Sequence, residues 1–275
     1  MRINHNIQAL NAYRNLATNQ LNTSKNLEKL SSGLRINRAA DDAAGLAISE
    51  KMRSQIRGLE VAERNSLDAI SLIQTAEGAL NEVHSMLQRM RELAVQSSNS
   101  TNQTEDRDAL DREFQQLIQE IDRIGNDTQF NKMQVLTTDQ SIEVQIGANT
   151  LQTLTLTWKK QLKTSLGEDQ VDISTLDIKT FATAQTAITE LDKAIISVSK
   201  TRSLMGAYQN RLEHTINNLK TANENLTSAE SRIRDTDMAM EMTEFTKNNI
   251  LNQAAQAMLA QANQLPQGIL QLLKS

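Results

Sequence analysis

A seven-residue repeat of apolar positions runs through the second half of the chain. Ala184, Leu191, Val198, Met205, Leu212, Leu219, Leu226 and Ile233 stand seven apart, and all are apolar. Their companions Ala187, Ala194, Thr201, Tyr208, Thr215, Ala222 and Ala229 are small or mixed. A 3.5-residue mean spacing held this long predicts one helix over residues 181–233 in a coiled-coil-like contact. At 1.5 Å per residue that helix would be roughly 80 Å long. A second tract matches it: Met52, Leu59, Ser66, Ile73, Leu80, Leu87 and Ala94, with companions Gln55, Ala62, Ala69, Ala76, Val83 and Met90. The two tracts have similar lengths and are expected to lie side by side, antiparallel. Gly58 and Gly78 interrupt the second tract. Each costs about 1 kcal/mol against alanine, so packing must offset it or a close approach must need the missing side chain.

Between these helices the period changes twice. Leu110, Phe114, Leu117, Ile121 and Ile124 follow a helical spacing. Glu105, Asp106 and Asp108 suit its first turn, where the helix dipole is positive, and Gly125 is a plausible stop. Then Ile142, Val144 and Ile146 alternate with polar residues, as do Leu154, Leu156 and Trp158. With Gly147 between them, the two runs predict a β-hairpin over about residues 141–158. Residues 159–180 read as a loop returning to the long helix. The fold class is therefore mainly α: a long antiparallel, coiled-coil-like helical bundle with one β-hairpin.

The two ends are unlike either rod helix. Residues 248–273, "NNILNQAAQAMLAQANQLPQGILQLL", carry no charge and are rich in Asn and Gln. Leu251, Ala255, Met258, Ala262, Leu265, Ile269 and Leu272 form one seam along them, with Pro266 bending or ending the helix locally. The start is also poor in charge and rich in amides. Its apolar positions are Ile3, Ile7, Leu10, Tyr13, Ala17 and Leu21, followed by Leu27, Leu30 and Leu34. A surface helix normally carries charge on its wet face, and a membrane span does not tolerate so many amides. The ends are expected to be labile in an isolated copy and to order when several copies pack together.

Composition narrows the function classes. One proline, 9 glycines and 3% aromatic residues among 275 leave little material for turns, which favours long helices. A net charge of −4 gives no footprint for nucleic acid. Without cysteine there is no disulfide frame and no thiolate metal site. His5, His84 and His214 are isolated, with no metal-binding spacing, and no phosphate-binding glycine motif occurs. No catalytic residue, metal or cofactor is expected. The start "MRINHNIQALNAYRNL" has no apolar region of a cleavable signal peptide, and no stretch reads as a transmembrane helix.

Several stretches resemble the bacterial flagellins. "SSGLRINRAADDAAGLAISEKMRSQIRGL" at 31–59 is similar to their N-terminal signature, and "SRIRDTDMAMEMTEF" and "LAQANQLPQGILQLL" to their C-terminal one. "QRMRELAVQSSN" at 88–99 and "FNKMQVL" at 130–136 resemble further flagellin stretches. The resemblance covers roughly residues 1–158 and 181–275, without the large variable outer domains that many members insert. Two details depart from the family: Lys132 follows Asn131 where Asn-Gly is more usual, and "ANTLQTLTLTW" lacks a Gly often seen there.

The resemblance implies a self-polymerising, extracellular subunit of the flagellar filament, or alternatively a flagellin-like hook–filament junction protein. It implies residues 1–43 with 234–275 as an inner terminal-helix layer and 44–233 as an outer rod. The inner contacts would come from Ile3, Ile7, Leu10, Leu21, Leu27, Leu30, Leu34, Leu251, Met258, Leu265, Ile269 and Leu272. Implied partners are the filament cap protein, the hook–filament junction protein, a C-terminal export chaperone and the flagellar type III export apparatus. Arg89, Leu93 and Glu113 match positions recognised by the vertebrate flagellin-sensing Toll-like receptor. The turn "RAADDAAG" joins terminal and central helices; Asp41 and Asp42 beside Arg35 and Arg38 would pair with neighbouring subunits or form a solvated connector.

Overall fold

A computed structural model describes the backbone of residues 6–272 and the side chains of 6–264. Among them the chain order is α1 (Ile7–Ser32), α2 (Ala43–Ser97), α3 (Thr104–Asp127), β1 (Gln129–Phe130), β2 (Met133–Gln134), β3 (Gln140–Gln145), β4 (Thr153–Trp158), α4 (Phe181–Arg234) and α5 (Met238–Leu272). The chain divides into two units, residues 55–224 and residues 1–54 with 225–275, so each boundary falls inside α2 or α4.

In the unit of residues 55–224 the heptads are the core. Ile73, Leu80, Leu87 and Ala94 of α2 are fully buried, with Ala76, Val83 and Met90 from the companion positions. From α4 come Ala184, Leu191, Val198, Met205 and Leu212. Ion pairs Arg91–Asp192 (2.6 Å), Glu77–Arg202 (4.0 Å) and Glu63–Lys220 (3.5 Å) step in opposite directions along the two helices, so α2 and α4 are antiparallel. Phe114, Ile118 and Ile121 of α3 close the same core, with Leu156 and Trp158 of β4. Trp158 donates its indole Nε1–H to the Val135 carbonyl at 2.8 Å, which satisfies the one polar atom its burial would strand.

Three local expectations change. Gly125 does not stop α3, which continues to Asp127 and is capped by Thr128. A Cβ at Gly125 would overlap the Gln161 carbonyl oxygen, so the glycine permits close approach and does not terminate the helix. Gly58 acts similarly, since a Cβ there would lie 2.8 Å from the Ala148 Cβ; Gly78 has nothing within 4 Å. The pair gives a signed prediction. Gly78→Ala raises stability by about 0.5–1 kcal/mol through helix propensity. Gly125→Ala lowers it by about 1–3 kcal/mol through overpacking. Urea midpoints of the two variants check this, and shifts of the same sign would refute the packing account.

The second change concerns turns. Asn131 (φ 48°) and Lys132 (φ 66°) form a two-residue turn between β1 and β2, separate from the main hairpin. Both residues take the positive φ that this tight turn type demands, with lysine where glycine is the easier choice. The main hairpin β3–β4 pairs Gln140 with Trp158 through Gln145 with Thr153, matching the alternation read from the sequence.

The third concerns residues 159–180, which are irregular but not a loose return. Leu166, Ile173 and Ile178 are fully buried. Side chains of the helices hold the backbone: Ser97 donates to the Ile178 carbonyl, Gln115 to the Leu176 carbonyl at 2.8 Å, and Asp111 accepts from Ile178 N–H at 3.1 Å. Without such partners a buried irregular backbone would be costly.

Candidate functional site

The unit of residues 1–54 and 225–275 is built on α1 and α5. Their Cα atoms come within 8 Å of each other along the pair. The contact residues mix alanines and amides with a few larger side chains. On α1, Ala9, Ala12, Leu16, Asn19, Thr23, Asn26 and Leu30 recur at alternating spacings of three and four, all partly or fully buried. On α5 the same holds for Glu241, Phe245, Asn248, Asn252, Ala255, Leu259 and Ala262. Amides of the seam hydrogen-bond across it, while Asn252 Oδ1 is buried without a partner. Asn252 donates to Thr23 Oγ1 at 2.8 Å, and Asn6 donates to the Ala262 carbonyl at 2.7 Å. Asn26, with its amide turned to match its neighbours, donates to the Asn22 carbonyl at 2.8 Å and accepts from Asn248 Nδ2 at 3.3 Å. Asn6 also caps α1, accepting from Ala9 N–H at 3.0 Å.

The large apolar residues expected to form the inner contacts point elsewhere. Ile7, Leu10, Leu21 and Leu27 are 57–69% exposed, and on α5 Leu251 and Met258 are 41% and 62% exposed. Leu30 and Leu34 are half-buried. Ile3 lies outside the described residues, as do the side chains of Leu265, Ile269 and Leu272. The helix α5 runs through Pro266 without ending there. The expectation for the ends is thus refined. Within one chain amides and alanines pair beside Leu16, Leu30, Phe245 and Leu259, and Ile7, Leu10, Leu21, Leu27, Leu251 and Met258 are left exposed. A groove of about 650 Å³ runs beside the pair, lined by Asn11, Asn15, Asn19, Leu251, Met258 and Gln261 among others.

The connector between α1 and α2 uses its charges locally. Asp41 accepts from the backbone N–H groups of Asn37 (3.2 Å) and Arg38 (2.9 Å), and these bonds hold its carboxyl below the usual carboxylate range. Asp42 accepts from Gly45 N–H at 2.8 Å at the start of α2. Arg38 pairs with Glu28 at 2.8 Å, and Arg35 donates from its backbone to the Arg234 carbonyl at 2.6 Å and from its guanidinium to the Ile233 carbonyl. Arg234 in turn pairs with Glu50 at 2.6 Å. The turn is therefore stitched within its own chain.

On the other unit, Arg89 and Glu113 meet across α2 and α3 at 2.9 Å, and Arg89 also pairs with Glu92 at 3.2 Å. Both members of the Arg89–Glu113 pair are about half exposed. Leu93, one turn along from Arg89, is only 1% exposed and belongs to the core that contains Phe114. Among the described residues there is no cluster of His, Asp or Glu that could hold a metal, and no helix long and apolar enough to cross a membrane.

These features meet in comparisons with known proteins. The bacterial flagellin N-terminal helical region matches residues 3–141, and the C-terminal helical region matches residues 188–273. The chain belongs to the bacterial flagellin family. A flagellin of Halalkalibacterium halodurans is 60% identical over the full length of both chains. One of Bacillus subtilis is 53% identical, again with both chains fully covered. A crystal structure of Bacillus cereus flagellin aligns with 57% of this chain and 88% of that chain at 38% identity and a TM-score of 0.49. As a flagellin, the chain is a structural subunit that polymerises into the bacterial flagellar filament. The junction-protein alternative gains no support from these relatives. What periodicity missed was the amide seam of α1 and α5; a scan for Asn and Ala at alternating three- and four-residue spacing would have found it.

Proposed function

We propose that α1 and α5, with residues 1–43 and 234–275, form the inner layer of the filament, and that residues 44–233 form the layer outside it. The carrying observation is the set of Ile7, Leu10, Leu21, Leu27, Leu251 and Met258, large apolar residues left exposed on the α1–α5 pair. Neighbouring copies cover this set, together with Ile3, Leu30, Leu34, Leu265, Ile269 and Leu272. Burying each such side chain contributes roughly 1.5–3 kcal/mol. Assembly follows export as an unfolded chain through the type III apparatus, with a C-terminal export chaperone, the cap protein and the hook–filament junction protein as partners. The polymer is extracellular, and the chain carries no catalytic chemistry of its own.

Elongation from sheared filament seeds tests the assignment. A chain lacking residues 248–275 loses both the exposed apolar residues of α5 and the cover over the α1 seam. It stays soluble and helical through its rod and adds no length to seeds. Growth at the parent rate would remove the inner-layer assignment.

A second reading concerns the shed monomer. The exposed Arg89–Glu113 pair supports recognition by the vertebrate flagellin-sensing Toll-like receptor, with Leu93 supporting the surface from beneath. Arg89→Ala disturbs a half-exposed ion pair of little stabilising value. It is expected to weaken receptor signalling about tenfold, as a contact residue does. Leu93→Ala is the poorer test, because opening a core cavity costs about 2–5 kcal/mol by itself. Full signalling by folded Arg89→Ala monomer would end this reading.

A further inference from the structure

The connection between β3 and β4 ends on a residue that does nothing for its own chain. Leu151 is 95% exposed and has a φ of 67°. The left-handed region is disfavoured for an L side chain, and glycine or asparagine is the usual occupant. The loop around it is braced. Gln145 Nε2 donates to the carbonyls of Gly147 (2.8 Å) and Asn149 (2.7 Å), and Gln152 Oε1 accepts from Asn149 N–H at 2.9 Å. Leu151 is thus a large apolar side chain held out on a fixed arm.

We propose that Leu151 is a knob that seats in a groove of a second copy of the chain, the groove lined by His84, Ile195, Ile196, Ser199, Lys200 and Ser203. This rests on the chain being a filament subunit. The groove measures about 350 Å³, and Ile196 is 56% exposed beside it. One copy cannot fill its own groove. The foot of the hairpin loop lies at Gly58 of α2, the groove at His84 of the same helix, and 26 residues of helix separate them by about 39 Å. A contact between two different patches of identical copies is heterologous, and it continues as an open polymer where its rotation does not close a ring. Chemistry agrees. Residues 146–152 carry no charge. Lys200 is already paired with Asp169 at 2.8 Å, so seating the tip strands no charge there.

The absence of cysteine makes a clean cross-linking test. Leu151→Cys subunits and Ile196→Cys subunits are each diluted into unmodified chain, elongated together on seeds and oxidised. A disulfide dimer is expected in filaments containing both variants. Neither variant alone gives one, nor does the same mixture kept as monomer. Filaments that contain both and yield no dimer overturn the groove assignment. Leu151→Asn provides a second reading, because asparagine tolerates the same backbone. Its monomer melts no lower than the parent, and its critical concentration for elongation rises about tenfold or more. An unchanged critical concentration overturns the knob. Failure of the unmodified chain to elongate would instead strike the filament reading on which the knob rests.

Discussion

Leu10→Glu stops filament elongation and leaves the monomer folded. Leu10 is 69% exposed on α1, outside the seam that Ala9, Ala12 and Leu16 make with α5. In the isolated chain the glutamate sits in water, and a substitution at such a site shifts stability by no more than about 0.5 kcal/mol. In the proposed inner layer of the filament the same position is covered by neighbouring copies. An ionised carboxylate sealed there without a partner costs several kcal/mol beyond the lost leucine burial. A total near 4 kcal/mol corresponds to roughly a thousandfold rise in critical concentration. Seeded elongation followed by light scattering reads the loss, and circular dichroism of the monomer verifies the fold. Elongation at the parent critical concentration would mean that α1 presents this face to water in the polymer as well.

The largest effect on the monomer is expected at Trp158. Its ring is 2% exposed at the end of β4, and its indole N–H occupies the Val135 carbonyl. Trp158→Ala opens a cavity and orphans that carbonyl, at a cost of about 3–5 kcal/mol. For a unit of this size the melting temperature falls by roughly 6–20 °C. Trp158→Phe keeps most of the packing and loses the hydrogen bond, so it falls in between. Thermal melts by circular dichroism order the three chains. Since this is the sole tryptophan, its fluorescence serves only for the parent. Equal melting of the Ala and Phe variants would show that the ring's volume does not carry the hairpin's attachment.

Neither experiment depends on chemistry at a reactive centre. The function lies in which surfaces are covered by the chain itself and which are left for a copy. The α1–α5 pair makes this distinction sharply. Its inner seam is crossed by amide hydrogen bonds such as Asn252 to Thr23, while Leu21 and Met258 remain exposed. An asparagine in a helix seam lowers stability but fixes register and partner. That trade suits a pair of helices far apart in sequence that must meet in one alignment.

The sequence by itself determined the rod. The heptads from Ala184 to Leu219 and from Ile73 to Ala94 name the buried faces of α4 and α2, because a sustained 3.5-residue period leaves one apolar stripe to bury. The alternation around Val144 and Leu156 likewise named the hairpin and its buried face, and the structure supplied the register. Only the tertiary structure decided the rest. Gly125 is an internal contact because the Gln161 carbonyl arrives beside it from far along the chain. Residues 159–180 are core because Ser97, Asp111 and Gln115 reach their backbone. Asn19, Asn26, Asn248 and Asn252 are seam while Leu10, Leu21 and Met258 are surface, because an amide carries no fixed preference for water once another chain segment offers hydrogen bonds. Periodicity shows which residues share a face; the partner that covers the face is settled by three-dimensional neighbours.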